Sequence, residues 1–177
     1  SLDIDYLYFP LHFQPERSTT PEGMVFSNQL RAIELLRDSL PVSMAIYVKE
    51  HPRQFDSDGK IDLRKIAART NVFYNTIKNL PNTYLIDIKT DANLLLKKAK
   101  IVSTITGSSG WQGLVIGKPV LIFGRPWYSS FDHCYNITSK EDILAAMATI
   151  KKVDFKVDKQ DIADFIASLK DKLLEAY

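Results

Sequence analysis

Ile101-Val-Ser-Thr-Ile-Thr-Gly-Ser-Ser-Gly-Trp-Gln-Gly-Leu-Val-Ile-Gly-Lys-Pro-Val-Leu-Ile-Phe-Gly124 is the stretch whose reading decides the fold. Ile101 to Thr106 is rich in β-branched residues, as a strand covered on both faces should be. Gly107-Ser-Ser-Gly110 then removes bulk where the backbone must turn into a short helix, Ser109 to Ile116. Gly117 is a fitting C-terminal stop, and Pro119 to Phe123 reads as a second buried strand. Such a turn leaves N–H groups and two hydroxyls at a positive helix end, a seat for a phosphate or carboxylate. Taken alone, it also fits a plain connection in which the serines cap the helix.

Upstream, strands and helices alternate. Asp5 to Leu11 reads as a strand, His12 to Gly23 as a loop broken by Pro15 and Pro21, and Val25 to Asp38 as a helix. Val42 to Val48 is a strand running into Lys49-Glu-His-Pro-Arg53, Asp62 to Asn79 a helix, and Thr83 to Ile88 a strand. Thr90-Asp91 caps a short helix over Leu94 to Leu96. Downstream, Gly124 to His133 is an aromatic loop and Tyr135 to Ile137 a short strand. Ser139 with Asp142 resembles a capping box for a helix over Glu141 to Ile150. A last helix, Asp158 to Ala176, is expected to bury Ile162, Phe165, Ile166, Leu169 and Leu173. This alternation predicts a single Rossmann-like three-layer α/β/α domain over residues 1–177, with a parallel sheet of five or six strands. Ligands in such sheets sit beyond the carboxyl ends of the strands. His12 to Arg17, Lys49 to Arg53, Thr106 to Ser109 and Gly124 to Tyr128 all fall at such ends, and their convergence points to a site.

Bulk properties narrow the class. The 177 residues suffice for one domain with a proper core, and 45% hydrophobic with 25% charged residues is ordinary for a globular protein. Net charge is only +2 and Lys and Arg are dispersed among acids, so no nucleic-acid footprint is present. The single cysteine, Cys134, excludes an internal disulfide and fits a reducing, cytoplasmic setting. No apolar run approaches the ~20 residues of a membrane span, which leaves peripheral contact at the inner face of the cytoplasmic membrane open. A chain that begins at Ser1 and enters a strand almost at once is expected to be part of a larger enzyme.

Several side chains at the strand ends are candidates for ligand contact. Gly107, Ser108, Ser109 and Gly110 form the anion cradle described above. His51, fixed by Pro52, can donate to a phosphate or cap a carbonyl at a strand-end turn. Lys49 and Arg53 raise the local positive potential; Glu50 opposes them and can meet a ribose hydroxyl or face solvent. His12, Gln14 and Arg17 suit an anionic ligand or a solvated loop. Trp111 fits packing better than base stacking, while Trp127-Tyr128 fits a base, a sugar or an interdomain contact. Sequence patterns for a dinucleotide fingerprint, a P-loop, a zinc site or a nucleophile elbow do not occur, so neither a metal nor a cofactor is expected.

Together, Tyr8-Phe-Pro-Leu-His-Phe-Gln-Pro-Glu-Arg17, Tyr47-Val-Lys-Glu-His-Pro52, Thr104-Ile-Thr-Gly-Ser-Ser-Gly-Trp111 and Gly117-Lys-Pro-Val-Leu-Ile-Phe-Gly124 resemble the capsule polysaccharide biosynthesis family, which includes glycosyltransferases similar to bacterial β-Kdo transferases. The resemblance spans residues 5–130. It implies half of a GT-B fold, the C-terminal domain that holds most of the nucleotide-sugar donor, opposite an N-terminal domain absent here. It also implies that His51-Pro52 and Ser108-Ser109 hold the donor nucleotide and its phosphate, as matching pairs do in GT-B enzymes that use CMP-sugars. Gln112 stands where related sequences often carry an acidic residue, which leaves the sugar and ribose contacts open. The general base is expected in the N-terminal domain, so this chain alone should be inactive. A CMP-sugar donor is favoured, with a polysaccharide or glycolipid acceptor. A UDP-sugar transferase or epimerase, a CDP-glycerol-type polyol-phosphate transferase, and a non-catalytic binding domain are the alternatives.

Overall fold

The structure, a computed structural model, describes residues 4–15, 23–55, 67, 69–152 and 157–175. Its strands are β1 (Tyr6–Pro10), β2 (Ala45–Lys49), β3 (Thr83–Ile86), β4 (Ile101–Thr104), β5 (Val120–Ile122) and β6 (Cys134–Asn136). They form one parallel sheet in the order β3-β2-β1-β4-β5-β6. The described helices are α1 (Gln29–Ser39), α2 (Asn71–Asn79), α3 (Ala92–Lys98), α4 (Ser108–Val115), α5 (Lys140–Ile150) and α6 (Lys159–Glu175). The expected Rossmann-like α/β/α architecture is present, with six strands.

Both sheet faces are covered, which explains the near-continuous apolar strands. Leu7, Phe9, Ile46, Val48, Ile101 and Leu121 face α1, α2 and α5 through Ile33, Leu36, Ile77 and Ile143. On the other face Tyr6, Tyr8, Tyr47, Val102 and Val120 meet α3 and α4 through Leu95, Leu96 and Leu114, and α6 covers part of the same face through Ile162 and Phe165. Chain order reverses beside β1, which lies between β2 and β4. That switch point opens a crevice at the carboxyl ends of β1 and β4.

Local chemistry sets the element ends. Asp91 accepts from the Asn93 amide to start α3, Gly117 has φ 73° just after α4, and Ser139 with Asp142 closes a complete capping box on α5. Three expectations need correction. The helix expected from Val25 starts at Gln29, because Asn28 accepts from the Leu30 amide and Met24–Ser27 forms a separate 3-10 turn. The single helix expected over Asp62–Asn79 is interrupted: Thr70 is extended (φ −80°, ψ 162°) and accepts from the Phe73 amide, so a fresh helix begins at Asn71. Residues 62–66 and 68 lie outside the described residues. On α6, Ile162, Phe165 and Leu169 are only half-buried and Ile166 is 51% exposed, because the helix packs at the edge of its cluster, with Phe165 against Trp111 and Phe131. The side chain of Leu173 lies outside the described residues.

Candidate functional site

The carboxyl ends of β1, β2 and β4 bring His12, His51 and the Gly107 turn around one cavity. Its volume is about 440 Å³, and its lining includes Phe13, His12, His51, Gly107, Ser108, Ser109, Gln112 and Trp127. A smaller cavity of about 230 Å³ shares Pro10, Leu11, His51, Ser109 and Gln112 with it and reaches Lys49, Glu50 and Pro52. The two adjoin over the switch point through these five shared residues.

The turn after β4 divides into held and open groups. The Gly107 amide donates to Thr104 Oγ1 at 3.1 Å, the Thr106 amide approaches His12 Nε2 at 3.4 Å, and the Gly110 amide donates to the Gly107 carbonyl. At the start of α4, Ser108 and Ser109 have orphan amides by helix geometry. No side chain caps this helix, and their amides and hydroxyls have no hydrogen-bond partner among the described residues. They are four donors at a positive helix end, on the lining of a cavity, which is the chemistry that anion binding requires.

Gly110 plays a different part from the one expected. It is buried, and a Cβ there would overlap the Tyr128 hydroxyl and stand 2.8 Å from Tyr128 Cζ. The Tyr128 hydroxyl donates to the Gly107 carbonyl. Gly110 therefore admits Tyr128 against the turn rather than a ligand.

Two histidines border the cavity with different duties. His12 is 6% exposed, and its Nε2 lies 2.8 Å from Thr104 Oγ1. Burial first, then the Arg69 and His51 charges, lower its pKa to about 4, so it is neutral at pH 7. As acceptor of the Thr106 amide, Nε2 leaves the ring proton on Nδ1. His12 braces the turn; it is not a cationic phosphate ligand. His51 accepts the Arg53 amide at Nδ1, at 3.2 Å, capping an amide rather than a carbonyl. That contact puts the proton of the neutral ring on Nε2, a donor on a residue that lines both cavities.

Glu50 is likewise not a ribose ligand. Its carboxylate accepts from Arg69 Nε at 2.7 Å, from the Tyr74 hydroxyl at 2.6 Å and from the His51 amide at 2.7 Å. Arg69 Nη2 continues to the His12 carbonyl at 2.7 Å. With side-chain exposures of 3% for Arg69 and 7% for Glu50, this is a buried pair whose capacity goes to internal partners. Lys49, also buried, donates to the Ile88 carbonyl at 3.0 Å. Burial lowers its pKa against the opposing pull of Glu50, Asp87 and Asp91.

Gln14 does not reach the central hollow. Gln54 pairs with both its amide and its carbonyl, at 2.8 and 3.0 Å, and its side chain lines a separate cavity of about 420 Å³ with Asn28, Thr70 and Phe73. Arg17 lies outside the described residues. Trp111 packs as expected, against Trp127, Tyr128, Phe131 and Phe165, while Trp127 is 55% exposed on the cavity lining. Sequence reasoning missed Arg69, Tyr74, Gln54 and Thr104. Only Thr104, in the Thr-Ile-Thr-Gly run at a strand end, carried a local signal.

A family model described as capsule polysaccharide biosynthesis protein matches residues 23–170. The chain belongs to this family. Several solved structures share its fold at low identity. The chain is similar to Thermosulfurimonas dismutans KpsC, a β-Kdo 2,7 transferase, with 20% identity and a TM-score of 0.55 over 81% of this chain and 44% of that one. It is also similar to a Methanocaldococcus jannaschii UDP-GlcNAc 2-epimerase in complex with UDP-GlcNAc and UDP, with 14% identity and a TM-score of 0.56 over 94% and 45%. A third match, S. aureus MnaA solved with UDP, gives 17% identity and a TM-score of 0.52 over 85% and 37%. The chain thus spans less than half the length of these structures. No curated protein sequence matches it. Among the described residues, no helix is long and apolar enough to cross a membrane, and no group of three or more His, Cys, Asp or Glu is placed to hold a metal ion.

Proposed function

We propose that this family member is the donor-nucleotide-binding domain of a glycosyltransferase in capsule or surface polysaccharide biosynthesis, one half of a GT-B enzyme that takes a CMP-activated sugar. The observation that carries the reading is the start of α4, where Ser108 and Ser109 keep amides and hydroxyls without partners among the described residues, on a cavity that His51 also lines. The nucleotide phosphate sits between that turn and His51. As the bond from sugar to nucleotide breaks, negative charge develops on the leaving phosphate, and these preset donors stabilise it. The acceptor, a polysaccharide or glycolipid hydroxyl, loses its proton to a base in an N-terminal domain while its oxygen attacks the anomeric carbon. No cofactor enters the step. A cytoplasmic reaction, with peripheral contact at the membrane, belongs to the same reading.

A second reading, a UDP-sugar transferase or epimerase, draws support from two similar structures whose descriptions name UDP. Calorimetric titration of CMP, CDP, UMP and UDP decides between them. CMP is expected to bind preferentially, and His51→Ala and Ser109→Ala each to weaken it by about tenfold. Preference for UDP would replace the first reading with the second, and no nucleotide binding at all would leave a non-catalytic binding domain.

A further inference from the structure

Beneath the smaller cavity lies a hydroxyl with no counterpart. Tyr8 is central in the sheet, opposite Tyr47 on β2 and Val102 on β4, and only 2% of it is exposed. On the same strand face, Tyr6 donates its hydroxyl to the Leu95 carbonyl at 2.7 Å. Tyr8 stands two residues nearer the carboxyl end. There it lines the cavity of about 230 Å³ together with Leu11, Pro52, Asn93, Leu96, Ser109 and Gln112. Among the described residues no hydrogen-bond partner meets its hydroxyl. Among the described residues, the sealed polar side-chain atoms without a partner are Gln14 Nε2 and Arg37 Nε. The Tyr8 hydroxyl is not one of them, so it opens on the cavity it lines. Burial first, then Tyr6 and Asp91, push its pKa far upward, which keeps it a donor at any physiological pH.

Buried polar groups are nearly always hydrogen-bonded, and this donor finds its acceptor when the cavity is filled. Apolar walls with a few polar heads are the make-up of a ligand pocket. The volume falls below the ~300–1,000 Å³ of pockets that enclose a whole drug-sized ligand. It admits one ring of a larger molecule, whose remainder continues past His51 and Ser109 into the wider cavity.

We infer that this cavity is the nucleobase subsite and that the Tyr8 hydroxyl reads the base, donating to a ring carbonyl or ring nitrogen in a space sized for one-ring bases. The inference rests on the nucleotide-sugar reading. Tyr8→Phe tests it by titration of CMP, UMP, AMP and ribose 5-phosphate into both proteins, alongside the melting temperature of each without ligand. CMP or UMP should bind at least about tenfold more tightly than AMP, and Tyr8→Phe should weaken the pyrimidine nucleotide by about tenfold. Ribose 5-phosphate should bind both proteins alike. The variant should melt no lower than the wild type, because the hydroxyl removed had no partner. Pyrimidine nucleotide binding that ignores Tyr8→Phe, AMP binding equal to CMP and UMP, or a lower melting temperature each overturns the inference and leaves the nucleotide reading standing. If no nucleotide and no ribose 5-phosphate binds, the nucleotide reading fails and takes this inference with it.

Discussion

On the β1–β2 side of the crevice, Glu50 accepts from Arg69, Tyr74 and the His51 amide, while Arg69 reaches on to the His12 carbonyl. On the β4–α4 side, Ser108 and Ser109 start a helix with no side-chain cap. Both sides carry polar residues at strand ends, but Glu50 and Arg69 direct theirs to each other and to neighbouring groups, while Ser108 and Ser109 keep theirs without partners among the described residues. What separates a scaffold from a binding surface here is unspent hydrogen-bonding capacity, not polarity. Glu50 and His12 hold the shape of the hollow that Ser108, Ser109 and His51 line.

The contrast can be broken at four points of decreasing effect. Glu50→Ala leaves the Arg69 guanidinium buried and unpaired, and should lower unfolding free energy in urea by about 3–5 kcal/mol. Acid comes next. His12 has a folded pKa of about 4 against an ordinary value of 6.5, so the unfolded chain takes up a proton that the fold refuses. The contribution of neutral His12 is fully present above pH 6.5 and is lost as pH falls toward 4. The loss amounts to about 3 kcal/mol, and urea titrations across that window should show it in the wild type and a flatter profile in His12→Gln. Gly110→Ala drives a methyl into Tyr128 and should cost about 1–3 kcal/mol. A double-mutant cycle with Tyr128→Phe should return a coupling above ~0.5 kcal/mol if the contact is the cause. Ser108→Ala and Ser109→Ala should change stability by less than about 0.5 kcal/mol. A loss comparable to that of Glu50→Ala would erase the distinction between the two sides.

Much of the fold was legible because its signals are local. Asp91, Gly117 and the Ser139–Asp142 pair mark helix ends by the chemistry of single residues, and β-branched runs mark covered strands. The uncapped helix start was legible for the same reason, since the turn, the serines and the helix start lie within a few residues. The bracing network was not, because Arg69 meets Glu50 across 19 residues and His12 across 57. Arg69 stands just before the start of α2, and Thr70 sets that start against the helical periodicity around it. Gly110 was misread for a related reason: the side chain that needs its missing Cβ belongs to Tyr128, on the far side of β5 in sequence. Gln14 was misplaced because Gln54 holds its backbone and its side chain lines another cavity.

A Cβ on Gly113, midway along α4, would lie 3.1 Å from Val102 Cγ2 and 3.3 Å from Val120 Cγ2. The helix therefore rides close on β4 and β5, with little room to tilt or slide. Its first turn is already oriented before any ligand arrives. The conformational entropy of aiming those serine donors is surrendered during folding, so little is left to be lost on binding.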